Sequence, residues 1–219
     1  MDARRRSIVI GLGIAPLGFL GLAPRATLAQ PQPGANFSEL IPPQPVESKG
    51  KVEVLEFFWY GCPHCYALEP LLEEWVKRLP ADAAFRRLPA VLSQNWVPHA
   101  QVYYAFEALG LTGKLHRPFF DAVHRERLQV SNQQAFEEWL RRNGVETKKF
   151  NDAARSFGVQ SLVKRAARVT AAYRIDGVPA LAVHGRYTVS AGQAPSREAM
   201  LEIADYLIGV SRKSLAAAK

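Results

Sequence analysis

Hydrophobic residues recur along this chain in two periods, and the change from one period to the other predicts the elements. Residues 51–60, KVEVLEFFWY, are almost continuously β-branched or aromatic and lie between two glycines. This composition is typical of a strand that is buried on both faces of a sheet. From Pro63 the apolar residues recur at helical spacing as far as Leu79. The pattern predicts a helix that begins at Pro63, kinks at Pro70 and is stopped by Pro80.

Shorter strands are predicted before and after this first strand and helix. Residues 83–92, AAFRRLPAVL, have the apolar content of a second strand. Residues 30–50 are rich in Pro, Gln and Gly, which predicts a loose lead with a short edge strand near Phe37–Leu40. Near the end of the chain, two β-like runs within residues 180–190 flank a histidine–glycine pair, which indicates a hairpin.

The middle of the chain and its end are predicted to be helical. Ser131 and Gln134 have the spacing of a capping box at the start of one helix, and Ser196 is the expected cap of the last one. Glycines are expected to end several of these helices. The predicted segments are 98–110, 113–128 with an interruption at Pro118, 131–144, 147–158 ending at Gly158, 160–175, and a last helix that ends at Gly209.

The order of elements is β-α-β, a long helical block and then β-β-α, with no internal repeat. This order predicts an α/β fold in which a central sheet is flanked by helices and an all-helical subdomain is inserted. The chain has 219 residues, 48% of them hydrophobic, which allows a sizeable core. Its formal net charge is +8, but the basic residues are scattered among acidic ones. We therefore expect a solvated surface and no nucleic-acid partner.

The first residues have the pattern of an export signal. The positively charged MDARRR precedes an apolar run that glycines interrupt, and Thr27 and Ala29 supply small residues at the −3 and −1 positions. We predict a signal peptide over residues 1–29, cleaved after Ala29. The alternative is an uncleaved membrane anchor, for which the run is short and rich in glycine. Either the general or the twin-arginine export route fits, and an exported protein meets an oxidising space in which a cysteine pair can form a disulfide.

The two cysteines of the chain, Cys62 and Cys65, stand two residues apart in the motif CPHC. A c-type haem site needs His directly after the second Cys, where this chain has Tyr66. A zinc site needs four ligands, and the other histidines are scattered without ligand spacing. A purely structural disulfide closing so short a loop would contribute only about 2 kcal/mol. A redox-active pair is therefore favoured over these alternatives, and no metal or other cofactor is expected.

The local sequence predicts two sulfurs of different acidity. If the helix begins at Pro63, Cys62 is its N-cap, and its sulfur faces the free N–H groups of His64 and Cys65. These groups, the helix dipole and a protonated His64 all lower the pKa of Cys62. Cys65 lies one turn inside the helix and should be buried and less acidic. A stabilised Cys62 thiolate favours the reduced protein, which makes the disulfide form an oxidant.

Glu56 and the segment GVPA each support a functional hypothesis. Glu56 lies within the apolar first strand. It is either an edge residue with its carboxylate in water or a buried acid of raised pKa that relays protons to or from Cys65. In GVPA, residues 177–180, the Val178-Pro179 bond is either an edge feature of the next strand or a cis bond that turns the chain toward the cysteines. Its backbone could pair with an extended substrate peptide.

The stretches VEVLEFFWYGCPHCYALEP and RIDGVPALAVHGRYTV resemble the DsbA family of periplasmic thiol:disulfide oxidants, and the likeness covers nearly the whole chain after residue 29. It implies a thioredoxin-like fold with a helical insertion. The implied division is a first thioredoxin-like part over residues 30–95, the insertion over 96–160, a second thioredoxin-like part over 161–211 and a tail over 212–219.

The resemblance also implies roles and partners. The implied substrates are reduced, newly exported proteins, and the implied reoxidant is the membrane protein DsbB with its quinone; we expect a periplasmic monomer. By position, Cys62 is the nucleophile, Cys65 the resolving thiol, Pro63 and His64 tune the redox couple, Glu56 is the buried acid, and Pro179 is a cis-proline preceded by Val178 beside the substrate.

Two positions depart from the expected family pattern. Pro70 is more like thioredoxin itself, and Gly61 replaces a bulkier residue, so we expect the groove beside Cys62 to be reshaped. Two rival functions remain open at this point. One is a disulfide reductase or isomerase on the same fold, and the other is a non-catalytic metal- or peptide-binding module.

Overall fold

Five strands form one mixed sheet in residues 30–217, the part of the chain that the computed structural model describes. The predicted signal peptide, residues 1–29, lies outside the described residues. The strands are β1 (Ser38–Glu39), β2 (Val52–Phe58), β3 (Ala83–Pro89), β4 (Ala180–Val183) and β5 (Tyr187–Ser190). Their order across the sheet is β1-β5-β4-β2-β3, and β2 and β3 form its parallel pair.

The strand β2 lies inside the sheet and separates two hydrophobic cores. All seven of its residues are buried, as its continuous apolar sequence predicts. Because successive side chains point to opposite faces, Val52 and Val54 join one core while Leu55 and Phe57 join the other. The predicted edge strand near Phe37–Leu40 is confirmed as the two-residue β1, which pairs antiparallel with β5.

The helices cover both faces of the sheet. The first and last helices contribute to the core that contains Val52 and Val54, and the helices between them contribute to the core that contains Leu55 and Phe57. Their bounds are α1 (Pro63–Lys77), α2 (Val97–Ala108), α3 (Thr112–His124), α4 (Gln133–Arg142), α5 (Thr147–Arg155), α6 (Phe157–Ala172) and α7 (Arg197–Ala217), with a 3₁₀ turn at Gln94–Trp96 before α2.

Prolines inside two helices do not end them. The predicted interruption at Pro118 is wrong, because α3 runs continuously through it. Its inward face, which includes Leu115, Phe119 and Phe120, is fully buried, so packing offsets the hydrogen bond that proline cannot donate. The helix α1 likewise continues through Pro70 and ends three residues before Pro80.

Three predicted helix boundaries are wrong for identifiable reasons. The cap of α4 is Asn132, not Ser131, and its side chain accepts from the N–H of Ala135 at 3.1 Å. Gly158 ends no helix, because the break falls at Ser156, whose extended backbone and side-chain bond to Val159 begin α6. The last helix does not end at Gly209.

The continuation of α7 past Gly209 follows from its packing. Ile208 and Ser211 are buried on either side of the glycine, and Leu215 packs against the same core. A single glycine inside a helix costs about 1 kcal/mol relative to alanine, which this burial outweighs. The division at residues 95, 160 and 211 stays a prediction; α6 crosses residue 160 and α7 crosses residue 211.

Other local signals are confirmed. Gly110 and Gly144 have φ of +68° and +75° just after α2 and α4. Ser196 accepts from the N–H of Ala199 at 3.0 Å, and the hairpin turns at Gly185, where φ is +65°. Within residues 30–217, no helix has both the length and the apolar character that a membrane crossing requires.

Candidate active site

The sulfur of Cys62 sits at the N-terminus of α1. Cys62 has the extended backbone of an N-cap, with φ −87° and ψ 116°, and Pro63 occupies the first helical position. The sulfur accepts a hydrogen bond from the backbone N–H of Cys65 at 3.4 Å. The turn that precedes the helix is closed by the N–H of Cys62, which donates to the carbonyl of Trp59 at 2.9 Å. The predicted cap is confirmed.

The two thiols differ in acidity in the expected direction. Hydrogen bonding from the Cys65 thiol is the largest of the effects that lower the pKa of Cys62 to about 6, with further help from the N–H groups of Cys65 and His64 and the charge of His64, against partial burial. Burial, followed by the neighbouring Cys62 sulfur, raises the pKa of Cys65 well above its ordinary value. The Cys65 thiol was not predicted as a donor from the sequence, and the charge of the predicted contributor His64 is the smallest of these contributions.

The Val178-Pro179 segment lies against the upstream sulfur. Its peptide bond is cis, as predicted. The sulfur of Cys62 lies 3.3 Å from the carbonyl oxygen of Val178, to which it donates in its protonated form. Both cysteines are free thiols. The fold therefore brings the backbone of a distant segment into contact with the more acidic sulfur.

Glu56 is a buried acid, so its alternative placement at a water-exposed edge is wrong. It lies on β2, between β3 and β4, and is 1% exposed. Burial raises the pKa of Glu56 to about 8; the charge of Arg87 opposes this and that of Glu69 reinforces it. Arg87 Nε lies 3.1 Å from Glu56 Oε2 without the alignment of a hydrogen bond, so the arginine acts on Glu56 mainly through charge. The charge of Glu56 in turn raises the pKa of Cys65.

Glu69 and Arg87 belong to this buried group and were missed from the sequence. Glu69 lies in the second turn of α1 and hydrogen-bonds Arg87 of β3, so two carboxyls share one guanidinium. Burial opposes the ionisation of Glu69, but hydrogen bonding from His116 and the charge of Arg87 outweigh it and lower the pKa of Glu69. The signal available in the sequence was a charged residue inside an apolar pattern, Glu69 in that of α1 and Arg87 in that of β3.

Gly61 allows the indole ring of Trp59 to lie beside the cysteine motif. A Cβ atom on Gly61 would collide with that ring. The Trp59 ring also stacks on Trp96, with centroids 4.5 Å apart and planes 6° apart. A cavity of about 420 Å³, lined in part by Trp59, Gly61 and His99, adjoins this pair. The smaller residue at position 61 thus changes the surface next to Cys62.

Two unequal thiols in contact can carry out thiol–disulfide exchange. The acidic sulfur is a thiolate near neutral pH, and the buried one is poised to attack a disulfide formed on it. Within the described residues, no three His, Cys, Asp or Glu side chains are grouped to hold a metal ion.

Comparison with known proteins agrees with this chemistry. A family model described as a DSBA-like thioredoxin domain matches residues 53–202. The chain is 36% identical over 212 residues to the thiol:disulfide interchange protein DsbA of Azotobacter vinelandii. This match covers 95% of this chain and 99% of the relative. The DsbA of Burkholderia cepacia is 39% identical over 203 residues, 92% of this chain and 93% of the relative.

Solved structures give the same result for the fold. The crystal structure of Pseudomonas aeruginosa DsbA superposes with a TM-score of 0.78 at 38% identity, covering 85% of this chain and 96% of that one. The oxidoreductase DsbA from Xylella fastidiosa superposes with a TM-score of 0.78 at 29% identity, covering 84% and 100%. These matches confirm the thioredoxin-like fold with its helical insertion. The chain belongs to the DsbA family and is a thiol:disulfide oxidoreductase.

Proposed function

We propose that this protein donates its Cys62–Cys65 disulfide to reduced, newly exported proteins and so promotes their oxidative folding. The observation that carries the proposal is the unequal acidity of the two sulfurs. The pKa of Cys62 is lowered to about 6 by hydrogen bonds at a helix N-terminus, whereas burial raises that of Cys65. Stabilising one thiolate stabilises the reduced protein and makes its disulfide a good oxidant.

The reaction consists of two exchanges. A substrate thiolate attacks the sulfur of Cys62, forms a mixed disulfide and displaces Cys65 as a thiolate. A second thiolate of the same substrate then attacks the substrate sulfur that is bonded to Cys62. This attack closes the substrate disulfide and releases Cys62 as a thiolate. Two electrons pass from the substrate dithiol to the protein. Cys62 is the favoured leaving group in the second exchange because its thiolate is the more stable one.

Glu56 supplies the proton for the first exchange in this proposal. Cys65 leaves as a thiolate at a buried position that disfavours charge, so it needs a proton. With a pKa of about 8, the Glu56 carboxyl keeps its proton at neutral pH. Its ionised form would raise the pKa of Cys65, so the two groups are electrostatically coupled.

The surroundings of Cys62 are assigned to substrate contact and tuning. The backbone of Val178, preceding the cis Pro179, pairs with an extended substrate segment beside the mixed disulfide. The contact between the Val178 carbonyl and the Cys62 thiol supports this assignment. Pro63 and His64 tune the redox couple.

The cellular setting follows from the family and from the first residues. We propose export through the signal peptide over residues 1–29, action in the periplasm as a monomer, and reoxidation by a DsbB-like membrane protein and its quinone. Nucleic acid has no part in the activity, and no cofactor is needed on this chain.

Trapping of substrates tests the reaction. Cys65→Ser cannot form the protein disulfide, but its Cys62 thiolate can still attack a disulfide of an exported protein and displace one of that protein's sulfurs as a thiolate. Without the Cys65 thiol to attack the resulting mixed disulfide, substrate proteins should accumulate on Cys62 in adducts that a reductant releases. The control is the Cys62→Ser, Cys65→Ser double variant, which should capture none. Recovery of equal amounts of protein from both variants would contradict the proposed role of Cys62.

The redox equilibrium with glutathione tests the direction. A donor of disulfides should be mostly reduced in a glutathione buffer whose redox potential still leaves a thioredoxin-like reductase oxidised. A strongly reducing potential would favour the rival assignment to a reductase or isomerase. Thiol titration before and after treatment with a chelator distinguishes a redox-active pair from a metal-binding one, because bound metal would mask the thiols until the chelator removes it.

A further inference from the structure

Tyr60, two residues before Cys62, is held at both ends by histidines of α3. The Tyr60 hydroxyl lies 2.8 Å from Nδ1 of His116, and the Tyr60 carbonyl oxygen lies 2.8 Å from Nε2 of His124. The two histidines are eight residues apart, about two helical turns, so they project from the same side of the helix. In the sequence, the spacing of these two histidines suits no metal site and gives no sign of their contacts with Tyr60.

The chemistry of the partners gives each bond its direction. A carbonyl oxygen can only accept, so Nε2 of His124 carries the hydrogen of that bond. Burial raises the pKa of the Tyr60 phenol well above its ordinary value, so the hydroxyl keeps its proton. Burial also lowers the pKa of His116, which leaves a neutral ring whose Nδ1 accepts from the hydroxyl. Each of the two contacts is therefore a hydrogen bond with a defined donor and acceptor.

The hydrogen bond from His124 to the Tyr60 carbonyl oxygen holds the turn that precedes Cys62. Gly61 joins Tyr60 to Cys62, and without a side chain it leaves the Tyr60–Gly61 peptide plane free to rotate unless another group holds it. His124 holds the carbonyl of that peptide plane. The N–H of Cys62 closes the same turn onto Trp59.

His124 also contacts the other side of the cysteine motif. Its ring stacks on Tyr66, the residue after Cys65, with centroids 4.7 Å apart and planes 11° apart. The hydroxyl of Tyr66 donates to Asp121 of α3 at 2.6 Å. One side chain of the helical insertion thus contacts the residues that flank the motif on both sides.

We propose that His124 is a positioning residue of the redox site, which holds the Tyr60–Gly61 peptide and thereby keeps the Cys62 sulfur on the N-terminus of α1. The inference rests on the proposed role of Cys62 as the reacting thiol. His116 helps to hold the same residue by accepting a hydrogen bond from the Tyr60 hydroxyl. The helical insertion therefore takes part in setting the oxidising strength of the site.

Two substitutions of His124 separate the hydrogen bond from the stacking. His124→Gln places an amide nitrogen near the position of Nε2 and keeps a donor, whereas His124→Phe keeps an aromatic ring against Tyr66 and has no donor. The readouts are the equilibrium constant with glutathione and the pKa of Cys62 from thiolate absorbance. For His124→Phe we expect a raised Cys62 pKa and an equilibrium shifted about fivefold toward the protein disulfide, equivalent to about 1 kcal/mol. His124→Gln should stay within about twofold of the wild type, well under 1 kcal/mol.

A packing control excludes a general effect of loosening α3. Leu115→Ala removes a fully buried side chain from the same helix and should lower stability without moving the glutathione equilibrium. If His124→Phe does not fold, His124→Met replaces it as an apolar side chain without a donor. An unchanged equilibrium in the donor-free variant would overturn the proposal, as would equal shifts in the Gln, Phe and Leu115 variants.

Failure of the positioning role and failure of the proposed function give different results. Mixed-disulfide trapping by Cys65→Ser in the wild-type background tests the reaction of Cys62, whereas the equilibrium constants of the His124 variants test what positions its sulfur. Trapping that succeeds beside an unshifted His124→Phe variant rejects the positioning role alone. Failure of trapping rejects the reaction mechanism, whatever the His124 variants do.

Discussion

The lowered pKa of Cys62 predicts that the stability of the reduced protein depends on pH through this one sulfur. The pKa falls from an ordinary 9.0 to about 6 in the folded protein, so the unfolded chain binds one more proton than the folded one between these values. Stability therefore rises with pH through this window and is lost as the pH falls through 6. Cys62→Ala removes the dependence.

The size of the effect follows from the two pKa values. One pKa unit corresponds to about 1.4 kcal/mol, and the contribution of the Cys62 thiolate should grow by about 2 kcal/mol from pH 6 to pH 8. Because the sulfur of Cys62 is only partly buried, solvent screening reduces this value. Cys65 does not contribute in this window, because burial raises its pKa and it stays protonated.

Glu56 complicates the absolute stability but not the difference between variants. Its pKa is raised to about 8 when folded, so the folded protein holds an extra proton there and its stability falls with pH over the same range. The two dependences have opposite signs and partly cancel in the wild type. Both proteins keep Glu56, so subtracting the Cys62→Ala values from the wild-type values leaves the sulfur term.

Urea unfolding under a phosphine reductant at pH 6, 7 and 8 measures this difference. We expect the free energy of unfolding of the wild type, relative to that of Cys62→Ala, to increase by about 1 kcal/mol per pH unit on average. Thiolate absorbance of the folded wild type, against Cys62→Ala, checks the same pKa directly. Parallel pH profiles for the two proteins would refute the argument that the helix N-terminus makes Cys62 acidic.

Three further predictions concern the surroundings of this sulfur. His64→Gln should raise the pKa of Cys62 by less than half a unit or so, because the backbone N–H groups remain and the His64 charge is the smallest contribution; thiolate absorbance measures it, and a return to an ordinary thiol would contradict it. Glu56→Gln should slow turnover and remove a rate change near pH 8 with little effect on fold, whereas an unaltered pH–rate profile would make Glu56 a structural residue. Gly61→Ala should cost about 1–3 kcal/mol in urea unfolding by collision with Trp59, and a Trp59→Ala background should remove most of that cost.

Local signals in the sequence were sufficient for much of the fold. Helix starts and ends were predicted well where one residue decides them, as at Pro63, Gly110 and Ser196. They were predicted wrongly where packing decides, as at Pro118 and Gly209, because a buried helix face can outweigh the cost of a proline or a glycine.

The sequence by itself determined the asymmetry of the two sulfurs. That asymmetry depends on an N-cap and a residue three positions later, and these lie together in any helix that begins at Pro63. The buried state of Glu56 had remained open, because a strand pattern alone does not distinguish an edge from the inside of a sheet.

Only the tertiary structure decided what surrounds those sulfurs. The pairing of β2 with β3 and β4 buried Glu56 beside Arg87, and the cis Pro179 segment brought the Val178 carbonyl to Cys62. The two histidines that hold Tyr60 come from α3, more than fifty residues further along the chain. Such contacts depend on sheet register and helix placement, and short-range periodicity contains no information about either.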